Sequence, residues 1–271
     1  MAEAGLRFAG WAGYWYPADA AALRGLLTTY TGAGRRGPVC AALVPHAAWQ
    51  FSGRVAGETL GNVSIPRRCL IVAANHLDRG AAWSLRGDGT YQTPLGTVPI
   101  DSDTAEALSA RCPLLEVDET AHHGEHSVEA LLPFLQWLGP SDLTVAPLIV
   151  RSESPEECDQ VAAAIAQHVR DAGEPILLLG SAELSHYQTA DRARQQDAAV
   201  IQTLGRVDEA AFVQHVRALG MQVCGLGPVA AVVGAARRLG AGRGELVRYA
   251  TSAESGGDPD SVIGFAGMIL N

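Results

Sequence analysis

Strand-like and helix-like segments alternate along nearly the whole chain. Short apolar runs recur at Val39–Val44, Leu70–Ala74, Leu143–Val150, Ile176–Leu179, Glu245–Thr251 and Val262–Leu270. Between them lie alanine-rich stretches with apolar residues at helical spacing. These are Asp19–Tyr30, Val55–Leu60, Ser102–Ala110, Val128–Leu138, Pro155–Ala172, Asp191–Leu204, Glu209–Leu219 and Pro228–Leu239. A short, continuous apolar run suits a strand buried on both faces, and strands separated by helices imply crossovers above and below one sheet. The pattern predicts an α/β fold with a central, mostly parallel or mixed β-sheet and helices on both faces. No Ser/Gly/Pro linker and no internal repeat interrupts it, so residues 1–271 read as a single domain.

The residues just beyond the strands are more specific. Leu43-Val44 runs into Pro45-His46, Ile71–Ala74 into Asn75-His76, and Ile176–Leu179 into Gly180-Ser181-Ala182-Glu183-Leu184-Ser185-His186. In open α/β sheets ligands bind outside the carboxyl ends of the strands. Three strands that each deliver a histidine there form a constellation. Cys224 precedes the expected helix Pro228–Leu239, where a helix dipole favours a thiolate and suits a nucleophile or a soft metal ligand.

Composition removes several chemistries. All 20 basic residues are arginine, so Schiff-base enzymes, Ser-Lys dyads and Walker A phosphate loops are excluded. A net charge of -9 argues against binding nucleic acid or an anionic membrane. No apolar run is long enough to span a bilayer, and the N-terminus lacks a basic segment followed by an apolar one, so no signal peptide is expected. The five cysteines are widely spaced without a CxxC pair, which suits free thiols in a reducing, cytoplasmic setting.

The motifs also form an ordered series. It runs through Trp15-Tyr16-Pro17, Pro45-His46-Ala47-Ala48-Trp49-Gln50-Phe51-Ser52-Gly53, Asn75-His76, Thr93-Pro94-Leu95-Gly96 and Glu125-His126-Ser127-Val128-Glu129. Pro133-Phe134-Leu135, Leu184-Ser185-His186-Tyr187, Cys224-Gly225 and Gly257-Asp258 complete it. This series resembles the Memo family, which includes the AmmeMemoRadiSam system protein B group and is similar in fold to class III extradiol (LigB-type) dioxygenases. The resemblance implies a metal held by His46, His76 and Cys224, with His186, His126 and Glu129 in the same pocket. The chain departs from the family pattern where Ala48-Trp49 replaces Gly-Tyr, Ala73-Ala74 replaces Gly-Pro and Ala182-Glu183 replaces Ser-Asp. These changes alter the pocket wall and spare the implied ligands.

Two neutral imidazoles and a thiolate bring a divalent ion to net +1, the same count as the two-histidine, one-carboxylate arrangement of non-heme Fe(II) oxygenases. Fe(II) is the expected metal, and the soft thiolate also suits Cu or Zn. His186 is the expected general acid or base, with His126 beside it. Glu183 or Glu129 would fix a histidine tautomer. Trp15, Tyr16, Trp49 and Phe51 are candidate walls of a substrate pocket, and Arg54, Arg79 and Arg86 could anchor an anionic substrate. The function expected is a metal-dependent, dioxygen-linked oxidoreductase acting on a small aromatic or other redox-active molecule. The alternative is a non-catalytic Memo-like pocket that holds a metal or a partner peptide.

Two further motifs compete. His122-His123-Gly124-Glu125-His126 spells the inverted zinc-protease motif, but Gly124 and Pro133 are poor company for the helix it needs, and His122 and His123 read better as an exposed loop pair. Gly32–Gly37 matches G-x-G-x-x-G but follows a helix and leads into a strand, the reverse of a dinucleotide site.

Overall fold

The computed structural model describes residues 5–32, 34 and 37–271. The strands are β1 Leu6–Arg7, β2 Ala41–Val44, β3 Arg68–Ala74, β4 Trp83–Leu85, β5 Thr90–Thr93, β6 Gly96–Pro99, β7 Glu116–Val117, β8 Thr144–Val150, β9 Ile176–Ser181, β10 Glu183–Gln188, β11 Val223–Cys224, β12 Gly244–Thr251 and β13 Val262–Leu270. The helices are α1 Ala20–Thr31, α2 Trp49–Gly61, α3 Ser102–Arg111, α4 Leu132–Leu138, α5 Pro155–Asp171, α6 Ala190–Gly205, α7 Glu209–Ala218 and α8 Leu226–Arg238.

Strands β2, β9, β3 and β8 lie side by side in parallel and form the centre of a ten-stranded sheet. β13 joins β2 antiparallel, β4 joins β8 antiparallel, and β10 and β11 extend the far edge, so the sheet is mixed. Each central strand alternates its side chains between two apolar layers, as the period-two pleat requires. Leu70, Val72, Leu148 and Leu178 face the layer built by α5 and α8. Ile71, Ala73, Val145, Leu177 and Leu179 face the layer that includes Leu23 and Leu27 of α1, Leu60 of α2 and Phe134 of α4. The α/β fold is as expected, with both layers built on one sheet.

Helix α2 is longer than its apolar spacing suggests and begins three residues after His46. Gly53 and its polar neighbours Gln50, Ser52 and Arg54 hide its first turns from a hydrophobicity reading. A Cβ at Gly57 would come within 2.6 Å of Tyr30, so glycine there lets α1 and α2 pack closely. The expected helix Val128–Leu138 divides into a tight turn, Glu129–Leu131, and α4. The G-x-G-x-x-G segment follows α1 directly; its Ala33, Arg35 and Arg36 lie outside the described residues. Among the described residues no helix is long and apolar enough to cross a membrane.

Candidate metal centre

The carboxyl ends of the central strands converge on one cluster. His46 follows β2, His76 follows β3, Ser181 ends β9, and Glu183 and His186 lie on β10. Cys224 on β11 pairs in register with Glu183 and stands just before α8, whose N-terminal cap is Gly225 in the left-handed region. The Cys224 Sγ is 2.8 Å from His76 Nε2 and 3.3 Å from His46 Nε2.

Hydrogen bonding fixes which nitrogen of each ring carries a proton. Ser181 Oγ donates to the Ser127 carbonyl at 2.7 Å, so its single proton is committed. His46 Nδ1, 2.8 Å from that hydroxyl, is therefore the donor, and its Nε2 keeps a lone pair. Glu125 does the same for His76. Its carboxylate accepts from His76 Nδ1 at 2.8 Å, from the His76 backbone N–H at 2.7 Å, and from the backbone N–H groups of His126 and Ser127. Burial pushes the Glu125 carboxyl up, but the hydrogen bond it accepts from His76 outweighs this and holds the group below the usual range. Both imidazoles thus aim bare Nε2 atoms at the thiol.

Among the described residues the groups in contact with the cluster add negative charge and no fixed cation. Burial, then the carboxylates Glu183 and Glu125, push the Cys224 thiol well above its ordinary value, so the helix N-terminus does not produce a thiolate by itself. Glu183 accepts from the His46 backbone N–H at 3.1 Å, and its other oxygen lies 3.6 Å from His46 Nε2 and 3.7 Å from His186 Nε2. Burial raises the Glu183 carboxyl, but the His46 and His186 imidazoles beside it hold it at about 2. Burial lowers His186, and its partnership with Glu183 outweighs this to raise it. Its Nδ1 donates to the Leu184 carbonyl at 2.9 Å. The cluster is a set of electron-pair donors that lacks a cation, and this donor chemistry fits a divalent metal ion.

Two overlapping donor groups have ligand atoms within 4.8 Å of one another: His46, His76 and His126, and His46, Glu183 and Cys224. His126 stacks on His76 with ring centroids 4.1 Å apart and is 4.1 Å from Trp15. Burial, then His46 and His76, lower it to about 3, so it is neutral. A cavity of about 540 Å³ opens beside His76, His186 and Cys224.

Other expected residues lie elsewhere. Glu129 fixes no histidine, because its oxygens are taken by Tyr16 Oη, the Trp11 backbone N–H and Arg7. Tyr16 and Trp49 are buried in the core, and Phe51 packs near Val55 and Phe265. Of the four aromatics only Trp15 touches the cluster, and none lines the cavity. Arg54, Arg79 and Arg86 do not line it either, and Arg86 is buried against the Gly5 and Asp88 carbonyls. His122 is buried rather than exposed: its Nε2 donates to the Ser84 carbonyl and its Nδ1 accepts from Tyr91. Gly124, in the left-handed region, breaks the helix a zinc-protease motif needs. Glu125 and Ser181 were not foreseen as site residues. The adjacency of Glu125 to His126 was the available signal, but their partner rings are 49 and 135 residues away.

Comparison with known proteins identifies the family. A family model for Memo-like proteins matches residues 7–269. A MEMO1 family protein of Methanopyrus kandleri is 35% identical over 84% of this chain and 82% of its own length. One from Methanothermobacter thermautotrophicus is 34% identical over 94% of this chain and 96% of its own. In fold, the chain is similar to an uncharacterized protein of Escherichia coli K12, with a TM-score of 0.57 and 16% identity over 84% of this chain and 98% of that one. The chain belongs to the Memo family.

Proposed function

We propose that the chain is a metal-dependent oxidoreductase. In this reading His46, His76 and Cys224 hold Fe(II), with Cu or Zn as the softer alternatives, and a small aromatic or other redox-active molecule occupies the adjoining cavity. When bound, the ion supplies a Lewis acid and, as iron or copper, a one-electron centre that can engage dioxygen. The rest is the work of the chain. Ser181 and Glu125 keep both Nε2 lone pairs pointed inward, as supporting carboxylates and hydroxyls do at metal-binding histidines. Glu183 holds His186 at the cavity wall, where its Nε2 can take or return a substrate proton. The observation that carries the reading is the fixed tautomer of both imidazoles against one thiol at the edge of a cavity.

The test is anaerobic loading with Fe(II), followed by oxygen uptake with catechols and aminophenols. Uptake that disappears in Cys224→Ala supports the enzyme. Full metal occupancy with no uptake and no product for any of them supports the alternative, a pocket that binds without turnover.

A further inference from the structure

The cavity beside the metal cluster has a character of its own. Val216, Met221, Val223 and Leu226 give it an apolar wall. Two features break that wall. Arg217, on the last turn of α7, donates from Nη2 to the Glu153 backbone carbonyl at 2.9 Å and has no carboxylate partner among the described residues. Some other arginines are committed to carboxylates, Arg151 to Asp78, Arg237 to Glu209 and Arg248 to Glu58. Arg217 thus brings to the cavity wall an anchored guanidinium with no carboxylate of its own.

The second feature is Tyr187. Its backbone has φ 58°, in the left-handed region that a non-glycine residue rarely adopts, and its side chain is 69% exposed. The neighbouring His186 ring lies 5.7 Å away, edge to face. An aromatic ring held in a strained conformation, facing a cavity and unburied, has its apolar face free for a ligand.

We propose that this cavity takes a small aromatic carboxylate, its acid group paired with Arg217 and its ring against Tyr187. The proposal rests on the reading that the cavity beside the metal centre is the substrate site, and it names the substrate class. A single guanidinium suits a carboxylate, which it can grip with two parallel N–H···O bonds. A phosphate monoester carries more charge than one arginine balances, and Glu153, which also lines the cavity, opposes a dianion further.

The experiment is calorimetric binding of 4-hydroxybenzoate and the isosteric, neutral 4-hydroxybenzamide to the metal-loaded protein, with metal content measured separately. The acid binds about 10-fold more tightly than the amide, the size of a charge-assisted pair. Arg217→Gln, a change at an exposed position, brings the two within about 2-fold. Arg217→Lys falls between, and Tyr187→Ala weakens both ligands alike. Equal affinity in the wild type, binding of neither ligand, or a preference for the acid that survives Arg217→Gln overturns the proposal; the last outcome would mean that the carboxylate sits on the metal. Oxygen uptake plays no part in this measurement, so an enzyme reading that fails there leaves the charge preference separately decided.

Discussion

Glu125 holds His76 from two sides: one carboxylate oxygen accepts the backbone N–H at 2.7 Å and the other accepts the ring Nδ1 at 2.8 Å. Residues 49 positions apart are thereby locked in one rotamer and one tautomer. Glu125→Gln offers one acceptor where four donors converge and turns an amide N–H toward one of them. Metal affinity should fall about 10- to 100-fold, as is usual when a supporting carboxylate is lost. Competition against a chelator of known affinity measures it. An unchanged affinity would mean that Glu125 only shapes the loop.

Ser181 plays the matching part for His46. Ser181→Ala leaves the His46 ring N–H and the Ser127 carbonyl without partners, at a cost of about 1–3 kcal/mol for the buried groups. Nitrogen NMR of the metal-free protein should show His46 protonated at Nδ1 in the wild type and as a mixture of tautomers in the variant. A wild-type ring protonated at Nε2 would contradict the assignment.

Glu129 is a strut. It joins Arg7 on β1 to Tyr16 and Trp11, and Arg7 in turn donates to the carbonyls of His122 and Glu125. Glu129→Ala strands a buried guanidinium and should cost about 3–5 kcal/mol in a urea titration. Metal stoichiometry of the folded fraction should be unchanged. Loss of the metal with stability intact would return Glu129 to the site.

The pH dependence of stability is set in part by His122. Burial first, then the charge of Arg86, lower it to about 3. Its folded pKa lies below the unfolded value of about 6.5, so between the two the unfolded chain binds a proton that the folded chain does not. Stability is full above about pH 6.5 and is lost as pH falls toward 3. The urea midpoint of the metal-free protein should drop between about pH 7.5 and about pH 4.5. His122→Gln should flatten the drop without abolishing it, because His126 is shifted in the same direction. A flat wild-type profile would contradict the buried neutral state.

The parallel core was legible because each central strand is apolar on both faces, and runs such as Leu70–Ala74 leave few other places to go. The cluster histidines were legible because they come directly after those runs. The short strands β4 to β7 were not: Thr90–Thr93 and Gly96–Pro99 contain too few apolar residues to show a period and owe their form to pairing with each other. The strand Glu183–Gln188 was hidden by its polar residues, which are tolerated because Asp197 accepts from the backbone and hydroxyl of Ser185. Trp49 looked like a pocket wall because it lies three residues after His46. The turn into α2 sends its ring away from the site, to stack on Phe134 with centroids 4.1 Å apart.

The most direct test of the metal centre is ion content by mass spectrometry of anaerobically purified protein under native conditions. The wild type should carry one ion per chain, and His46→Ala, His76→Ala and Cys224→Ala should each lose it. An ion retained in Cys224→Ala and lost in His126→Ala would contradict the account and move the site to the three-histidine group.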